Sequence, residues 1–197
     1  MAFWETERLR LRPLQLSDLD ALQRILSDPA VMRYLETPYD RQRTEAFLRR
    51  ATGERLPVLG VCLRETGELI GHLIWHPYEG DAWELGWVLG REHWGKGYAT
   101  ELTAAAIRRA GKLGIRALVL EHVPEQAATA AIARRFGFRD LPEQDGLQRH
   151  RLEIGTEDGS RRSGKRTDTG TQDRSGPRQP GPRRRGAKDG REGETGG

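Results

Sequence analysis

The sequence has little of what marks an exported or a membrane protein. Its single cysteine, Cys62, excludes an intrachain disulfide, and nothing in its cysteine content points to an oxidising compartment. No apolar run approaches the roughly 18 residues that a membrane-spanning helix needs. Residues 1–12 also lack the apolar centre of a signal peptide. These absences predict a soluble, cytoplasmic protein.

The last part of the sequence lacks large apolar side chains altogether. From Gly155 to Gly197 there is no Val, Leu, Ile, Met, Phe, Trp, Tyr or Cys, so this stretch cannot bury enough apolar surface to offset the loss of chain entropy on folding. We therefore predict a folded domain over residues 1–154 and a disordered tail over residues 155–197. The tail has 11 basic and 7 acidic residues, and residues 1–154 have 22 of each, so the net charge of +4 lies in the tail.

The basic residues of the tail include the cluster Arg183, Arg184 and Arg185. Such a cluster can contact RNA or another polyanion through counterion release. Interleaved acids such as Asp189 and Glu192, and the absence of aromatic side chains for base stacking, argue against dedicated nucleic-acid recognition. We expect any contact with nucleic acid to be weak and confined to the tail, and a plain solvated tail fits the same composition.

Metal-ligand spacing is also missing. His72 and His76 are four residues apart, but they lie in a strand-like segment, where this spacing does not form the ligand pair that it forms on a helix. The other three histidines are scattered, and no carboxylate cluster stands at ligand spacing. The sequence therefore predicts no metal site.

What the sequence does have is a glycine-rich turn at the start of an amphipathic helix, in the segment REHWGKGYATE. Gly95 and Gly97 allow positive φ angles and a close approach of the backbone to a ligand. The first turn of a helix carries about four unpaired N–H groups and roughly half a positive charge. The amides of Lys96 to Thr100 are therefore expected to form a cradle for a phosphate or pyrophosphate. Taken alone, the glycines fit a tight connection that binds nothing equally well.

The segment before this turn alternates as a β-strand does. Its large apolar residues fall on one face, and Glu84, Gly86 and Val88 fall on the other. Glu84 thus shares its face with a residue that has no side chain, which leaves a notch that a substrate can enter. A solvated strand face is the alternative interpretation.

Together, the residues WELGWVLGREHWGKGYATE resemble the fourth strand, pyrophosphate loop and third helix of the GNAT acetyltransferases. The superfamily motif is Gln or Arg, two variable residues, Gly, one variable residue, then Gly or Ala, and it falls on residues 94–99. Trp94 replaces the usual Gln or Arg, as it commonly does in the ribosomal-protein N-terminal (RimJ/RimL-like) acetyltransferase branch. The remainder of residues 1–154 is similar to this branch from end to end.

The resemblance implies the GNAT fold, of the α/β (α+β) class. Its central sheet is mixed, mostly antiparallel and twisted, with six to seven strands flanked by about four helices. The resemblance also implies acetyl-CoA as co-substrate and transfer of its acetyl group to a primary amine, either a protein N-terminus or a small-molecule amine, by direct attack on the thioester. The expected partners are therefore acetyl-CoA and an amine acceptor, and the protein is expected to be a monomer or a homodimer.

Catalytic roles follow from the same resemblance. An α-amine titrates near ~8 and a lysine near ~10.4, so the acceptor must lose a proton before attack. Glu84 is the candidate general base, and Glu143, Asp145 and Glu153 are the fallback bases. Thr129, in the family's fourth helix, is expected to protonate or hydrogen-bond the leaving thiolate.

A second set of residues is expected to bind acetyl-CoA. A backbone N–H near Val88 or Leu89 would donate to the thioester oxygen as an oxyanion hole does. The expected cofactor-binding residues are Trp87, Val88, Leu89, Trp94, Gly95, Lys96, Gly97, Tyr98, Ala99, Thr100 and Gln126.

The fourth helix also departs from the family pattern. Gln126 stands where Asn is usual, Thr129 stands where Ser is usual, and the tyrosine that many relatives use as general acid is absent. These departures leave an alternative open. The chain would then be a catalytically weak acyl-CoA-binding module whose basic tail contacts the ribosome, RNA or a protein partner.

Overall fold

The computed structural model describes residues 4–52 and 58–155. The predicted tail, apart from Gly155, lies outside these residues, as does its predicted contact with RNA, and the domain boundary at residue 154 stays a prediction. In the described part of the chain, no helix combines the length and apolarity needed to cross a membrane.

The described residues form one sheet of eight strands, which stand in the order β1-β2-β3-β4-β5-β6-β8-β7. The strands are β1 (Trp4–Glu5), β2 (Leu9–Pro13), β3 (Val58–Leu63), β4 (Leu69–Pro77), β5 (Ala82–Leu89), β6 (Ala117–His122), β7 (Arg139–Gln144) and β8 (Leu147–Glu153). The predicted class and mixed sheet are confirmed, but the predicted six to seven strands were too few. The short strand β1 was not separated from β2 in the sequence, because the bend between them carries no Gly or Pro.

Within residues 4–52 and 58–155, five α-helices flank the sheet, one more than predicted. They are α1 (Leu19–Leu26), α2 (Pro29–Met32), α3 (Arg41–Thr52), α4 (Tyr98–Leu113) and α5 (Ala127–Arg135). The additional helix is the single turn α2. The Asp28 side chain caps it by accepting a hydrogen bond from Ala30 N, and Pro29 occupies its first position, where the missing N–H costs nothing.

Every neighbouring pair of strands is antiparallel except β5 and β6. Their parallel ladder contains three pairs, from Ala82 opposite Ala117 to Glu84 opposite Val119. Beyond these pairs β5 stays paired with β4 as far as Leu89, and β6 stays paired with β8 as far as His122. The two strands therefore separate and leave a wedge-shaped cleft in the middle of the sheet.

Each face of the sheet packs against its own helices. On one face, Leu85, Leu89 and Leu118 share a core with Leu102 of α4 and Ala133 of α5. On the other face, Val88 belongs to a core formed with α1 and α3, which includes Leu22 and Leu48. Because Leu85 and Leu89 lie in the first core and Val88 lies in the second, the alternation read from the sequence of β5 is confirmed.

Candidate active site

The glycine-rich turn adopts the conformation that its sequence predicts. Gly95 and Gly97 have φ angles of 71° and 80°, and α4 begins directly after them, at Tyr98. The first intrahelical bond runs from Glu101 N to Gly97 O, at 3.0 Å. The amides of Tyr98, Ala99 and Thr100 consequently lie outside the helical hydrogen-bond ladder. They form, with the turn, a positively polarised backbone surface.

Two side chains attach this turn to the sheet. Trp94 donates its indole N–H to Leu89 O at 2.8 Å, and the residue is 48% exposed. Arg8, which precedes β2, donates to Lys96 O at 2.9 Å. Trp94 therefore holds the turn to the end of β5 while part of its side chain faces solvent, and Arg8 holds the turn to the segment that leads into β2. No sequence pattern pointed to this role of Arg8.

The cleft between β5 and β6 brings the predicted side chains together. Glu84 and Trp87 reach it from β5, and Gln126 and Thr129 reach it from the start of α5, across the gap. Glu121 of β6 also lines the cleft and was not predicted. The residues that line the cleft are Leu35, Ile74, Glu84, Leu85, Gly86, Trp87, Val88, Leu120, Glu121, Gln126 and Thr129.

The side chains of Val88 and Leu89 are each 6% exposed and belong to opposite cores, so these residues can serve a ligand chiefly through the backbone. At the two ends of the β4–β5 pairing, Tyr78 N donates to Ala82 O and Gly90 N donates to Ile70 O. Since hydrogen-bonded pairs alternate along an antiparallel ladder, the backbone groups of Val88 point toward β4. Those of Leu89, and of Trp87 two residues before it, point toward the cleft.

Glu84 lies opposite His76 across the β4–β5 pairing. Its Oε2 atom lies 3.1 Å from Nε2 of His76, the residue directly opposite it in the ladder. The other ring nitrogen, Nδ1, lies 2.9 Å from Pro77 O. A carbonyl oxygen only accepts hydrogen bonds, so Nδ1 carries a hydrogen. With Nδ1 as the donor, Nε2 and the Glu84 carboxylate face each other as two acceptors, so a proton that enters between them can be held by both.

Glu121 faces the cleft from β6 and is held in place by Tyr78. The Tyr78 hydroxyl donates a hydrogen bond to Oε1 of Glu121. Burial of the phenol, and then the adjacent Glu121, raise the pKa of Tyr78 to about 12, so Tyr78 stays a donor at ordinary pH. Arg149 stands opposite Glu121 on β8 and donates to Pro142 O. Among the described residues that line the cleft, two are acidic and none is basic.

The fallback bases of the terminal hairpin do not reach this site. Glu143, Asp145 and Glu153 are all outside the cleft lining, and Glu153 is paired with Arg151 at 2.8 Å. Cys62 is 2% exposed, and burial raises the pKa of its thiol. Over residues 4–52 and 58–155, no group of three or more His, Cys, Asp or Glu side chains is arranged to hold a metal ion.

Residues 8–139 match the family described as the acetyltransferase (GNAT) domain. The chain is 30% identical over 157 residues to the N-acetyltransferase p20 of Bacillus licheniformis, itself uncharacterised, and the match covers 73% of this chain and 84% of p20. The crystal structure of a GNAT-family acetyltransferase from Bacillus anthracis superposes with a TM-score of 0.70, at 23% identity, over 78% of this chain and 99% of that one.

The structure of RimL, a ribosomal L7/L12 alpha-N-protein acetyltransferase in complex with coenzyme A, superposes with a TM-score of 0.66 over 78% of this chain and 98% of RimL. At 19% identity this likeness concerns the fold. The match to the GNAT domain covers more than half of the chain, and the sheet, turn and helices agree with it. This chain therefore belongs to the GNAT acetyltransferase family and is an acetyl-CoA-dependent acyltransferase.

Proposed function

We propose that this protein transfers the acetyl group of acetyl-CoA to a primary amine by direct attack of the amine on the thioester. The observation that carries the proposal is the cleft between β5 and β6, which holds Glu84 on one wall and Gln126 and Thr129 on the other. The glycine-rich turn lies just beyond the end of β5. Acetyl-CoA, when bound, supplies an activated acyl group as a thioester.

The turn and the first residues of α4 would hold the pyrophosphate of the co-substrate. Seven residues of the predicted set belong to it, since Trp94 fixes the turn and residues 95–100 supply amides. The positive φ angles of Gly95 and Gly97 turn the backbone onto the helix axis, where the unpaired amides and the helix dipole favour an anion. No cationic side chain is needed for this contact, and Lys96 is exposed.

Glu84 is the proposed general base. It lines the cleft beside Gly86, as the sequence predicts, and His76 lies behind it at hydrogen-bond distance. A proton taken from the acceptor amine would pass to Glu84, and His76 would share it across the 3.1 Å contact. His76 therefore acts as a positioning residue that keeps the carboxylate aimed into the cleft.

The thioester oxygen would accept a hydrogen bond from the amide of Leu89 or Trp87, whose backbone groups point toward the cleft. Of the two predicted donors, the Val88 amide is unsuitable because it belongs to the β4 ladder. We therefore propose the Trp87 amide in its place. A fixed peptide N–H at this position stabilises the charge that develops on the oxygen during attack. Val88 contributes to the cleft as part of its wall.

Thr129 would donate a hydrogen bond to the sulfur of the leaving thiolate. It is the third residue of α5 and lines the cleft with Gln126, which precedes the helix. The amino-terminal end of a helix favours negative charge. The start of α5 and the Thr129 hydroxyl would therefore both stabilise the thiolate. Thr and Gln thus keep the chemistry of the Ser and Asn that are usual in the family.

The acceptor side favours a positively charged amine. Glu84 and Glu121 face the cleft, while Leu35, Ile74 and Leu120 give it apolar surface for the body of the acceptor. A protein N-terminus or a small aliphatic amine fits this description, since both are mostly protonated near neutral pH. The WGKGYAT sequence and the likeness to RimL support a place in the RimJ/RimL-like branch. The cytoplasmic location and the choice between monomer and homodimer stay predictions.

Direct attack requires no acetylated form of the enzyme. The one thiol in the sequence, Cys62, is buried away from the cleft, which excludes it as an acyl acceptor in the folded state. Nothing in the cleft favours the alternative of a binding module without activity, since the Gln126 and Thr129 side chains both reach the site.

The experiment that tests this proposal is an acceptor screen with the full chain. Release of free CoA thiol is measured for a panel of N-terminal peptides and small primary amines, and mass spectrometry locates the added acetyl group. We expect an N-acetylated product, initial-rate plots that intersect, and no acetylated protein when acetyl-CoA is added alone. Parallel plots together with an acetylated enzyme would contradict direct attack, and acetyl-CoA binding without any product would favour the binding module.

A further inference from the structure

Arg8 contacts the glycine-rich turn although it lies 88 residues before Lys96. Its NH1 atom donates to Lys96 O at 2.9 Å, and its guanidinium carbon lies 4.6 Å from the centroid of the Tyr98 ring, the first residue of α4. Its NH2 atom is 3.6 Å from the position that a Cβ atom would take at Gly97. One side chain therefore contacts three consecutive residues at the point where the turn becomes the helix.

The hydrogen bond to Lys96 fixes the direction of the next amide. A trans peptide group points its C=O and N–H to opposite sides, and the described chain has no cis peptide bond. With the Lys96 carbonyl directed at Arg8, the N–H of Gly97 points away from Arg8. The amide of Gly97, the residue just before α4, is thereby held in one orientation.

Arg8 also compensates a carboxylate in the first turn of α4. Glu101 accepts hydrogen bonds from the Arg8 backbone N at 2.9 Å and from Arg8 Nε at 2.7 Å, and it accepts another from the Thr6 hydroxyl. Burial acts to raise the pKa of Glu101, but the hydrogen bonds from Thr6 and Arg8 outweigh it and hold the pKa below its usual range. Glu101 is therefore an anion one turn from the proposed pyrophosphate site, and Arg8 neutralises it.

We propose that Arg8 is a positioning residue for the pyrophosphate cradle. It aims the Gly97 amide at the ligand through Lys96 and Tyr98, and it removes the repulsion that Glu101 would otherwise exert on the phosphates. This proposal rests on the proposed function, because it assumes that the cradle binds acetyl-CoA. It assigns to the cofactor site a segment that the cradle sequence does not contain.

The test compares three ligands on the full-length protein and on Arg8→Gln. Loss of the charge-assisted hydrogen bonds should raise the Kd of CoA by about 10- to 100-fold in calorimetric titration. The Kd of dephospho-CoA, which keeps the pyrophosphate but lacks the 3′-phosphate, should rise by the same factor. S-acetylpantetheine, which has no phosphate, should compete with acetyl-CoA equally well for both proteins. A loss confined to CoA would mean that Arg8 binds the 3′-phosphate instead, and would overturn the proposal.

Arg10→Gln is the matched control. Arg10 also pairs with a carboxylate through Nε, at 2.7 Å from Glu5, but this partner lies in β1 and not at the turn. This variant should bind all three ligands as the original protein does. In the double variant Arg8→Gln with Glu101→Gln, part of the lost CoA affinity should return, because the unpaired carboxylate is gone. A merely structural role for Arg8 predicts no recovery, and that outcome would overturn the proposal.

Two failures are distinguishable in this design. If the original protein binds no acetyl-CoA, the proposed function fails. If the original protein binds it and Arg8→Gln binds it equally well, only the role of Arg8 fails.

Discussion

The cofactor end and the acceptor side of the proposed site are built by different means. The cofactor end consists of backbone amides that a short, continuous segment supplies, with Gly95 and Gly97 setting their direction. The acceptor side consists of side chains from separate strands, since Glu84 is backed by His76 and Glu121 is held by Tyr78. The first arrangement presents fixed dipoles with no titrating group, and the second presents carboxylates whose charge depends on bound protons.

This difference separates the two ligands chemically. Peptide dipoles suit a pyrophosphate, whose charge is constant near neutral pH, so the cofactor end requires no group that exchanges a proton. The amine must arrive protonated and react deprotonated, so the acceptor side requires groups that exchange a proton. Mutations at the cofactor end should change the affinity for acetyl-CoA, and mutations at the acceptor side should change turnover or acceptor affinity.

The largest effect is expected from Gly97→Glu. A side chain at a φ angle of 80° adds about 1–3 kcal/mol of strain, and its carboxylate would oppose the pyrophosphate. We expect the Kd of acetyl-CoA to rise by about 100-fold or more, measured by calorimetric titration. Gly67→Glu is the control, because Gly67 has a φ angle of 76° in the β3–β4 turn, with open space around it. Equal losses in both variants would show that strain alone is responsible.

Glu84→Gln tests the acceptor side. The amide keeps the size of the side chain but cannot take a proton, so kcat should fall by about 100-fold or more. The Kd of acetyl-CoA should stay unchanged, because the cradle does not include Glu84. Steady-state rates with the acceptor from the screen, together with calorimetry, provide the measurement. Unchanged turnover would remove Glu84 from the mechanism and would contradict the proposed difference between the cofactor end and the acceptor side.

The buried His72 should make the free energy of unfolding depend on pH, separately from any effect of pH on catalysis. It lies in β4 with His76, but burial lowers the pKa of His72 from 6.5 to about 4. The unfolded chain therefore binds this proton more tightly, and the free energy of unfolding falls as pH drops from 6.5 toward 4. Between pH 7.5 and 5 the loss should be about 2 kcal/mol.

The measurement is urea unfolding of the original protein and of His72→Leu at both pH values. The variant cannot take the proton, so its free energy of unfolding should fall by about 2 kcal/mol less over this interval. An identical fall in both proteins would show that His72 takes its proton without unfolding.

The smallest effect is expected from Glu121→Gln. Glu121 faces the cleft from β6, outside the β4–β5 contact that joins His76 and Glu84, so kcat should stay unchanged. One favourable charge contact with a solvated ammonium group amounts to at most about 1 kcal/mol, which corresponds to about a five-fold rise in the KM of a cationic acceptor. Initial rates at pH 7.5 measure this change. A lower kcat with unchanged KM would make Glu121, and not Glu84, the proton acceptor.

The cofactor end could be predicted from the sequence because its determinants are local. Glycine spacing, an amphipathic helix and an alternating strand lie within residues 82–113, and each was found where it was predicted. Thr129 and Gln126 were predicted by resemblance, and the structure places both in the cleft. The same locality explains the confirmed alternation of β5.

The acceptor side was predicted in part, because its contacts join distant residues. The pair of His76 and Glu84 depends on the register of the β4–β5 hairpin, and a pairing count across the turn at residues 78–81 would have found it. Glu121 and Tyr78 are 43 residues apart, and Arg8 and Lys96 are 88 apart. No sequence periodicity reports such contacts. Glu121, which the sequence shows at the end of a short apolar strand, gave no sign of facing the cleft.

The ladder between β5 and β6 contains three residue pairs, so the sheet consists of two halves, β1 to β5 and β6 to β8, that are joined by a short ladder. A ligand that lies between the two halves contacts both of them and so adds to the interactions that hold them together. The free energy of ligand binding then also adds to the free energy of unfolding of the domain. A ligand at a hundred times its Kd adds about 2.7 kcal/mol to the stability of the whole domain. In the free protein, the amides of β5 that point into the gap should exchange with deuterium faster than those that pair with β4.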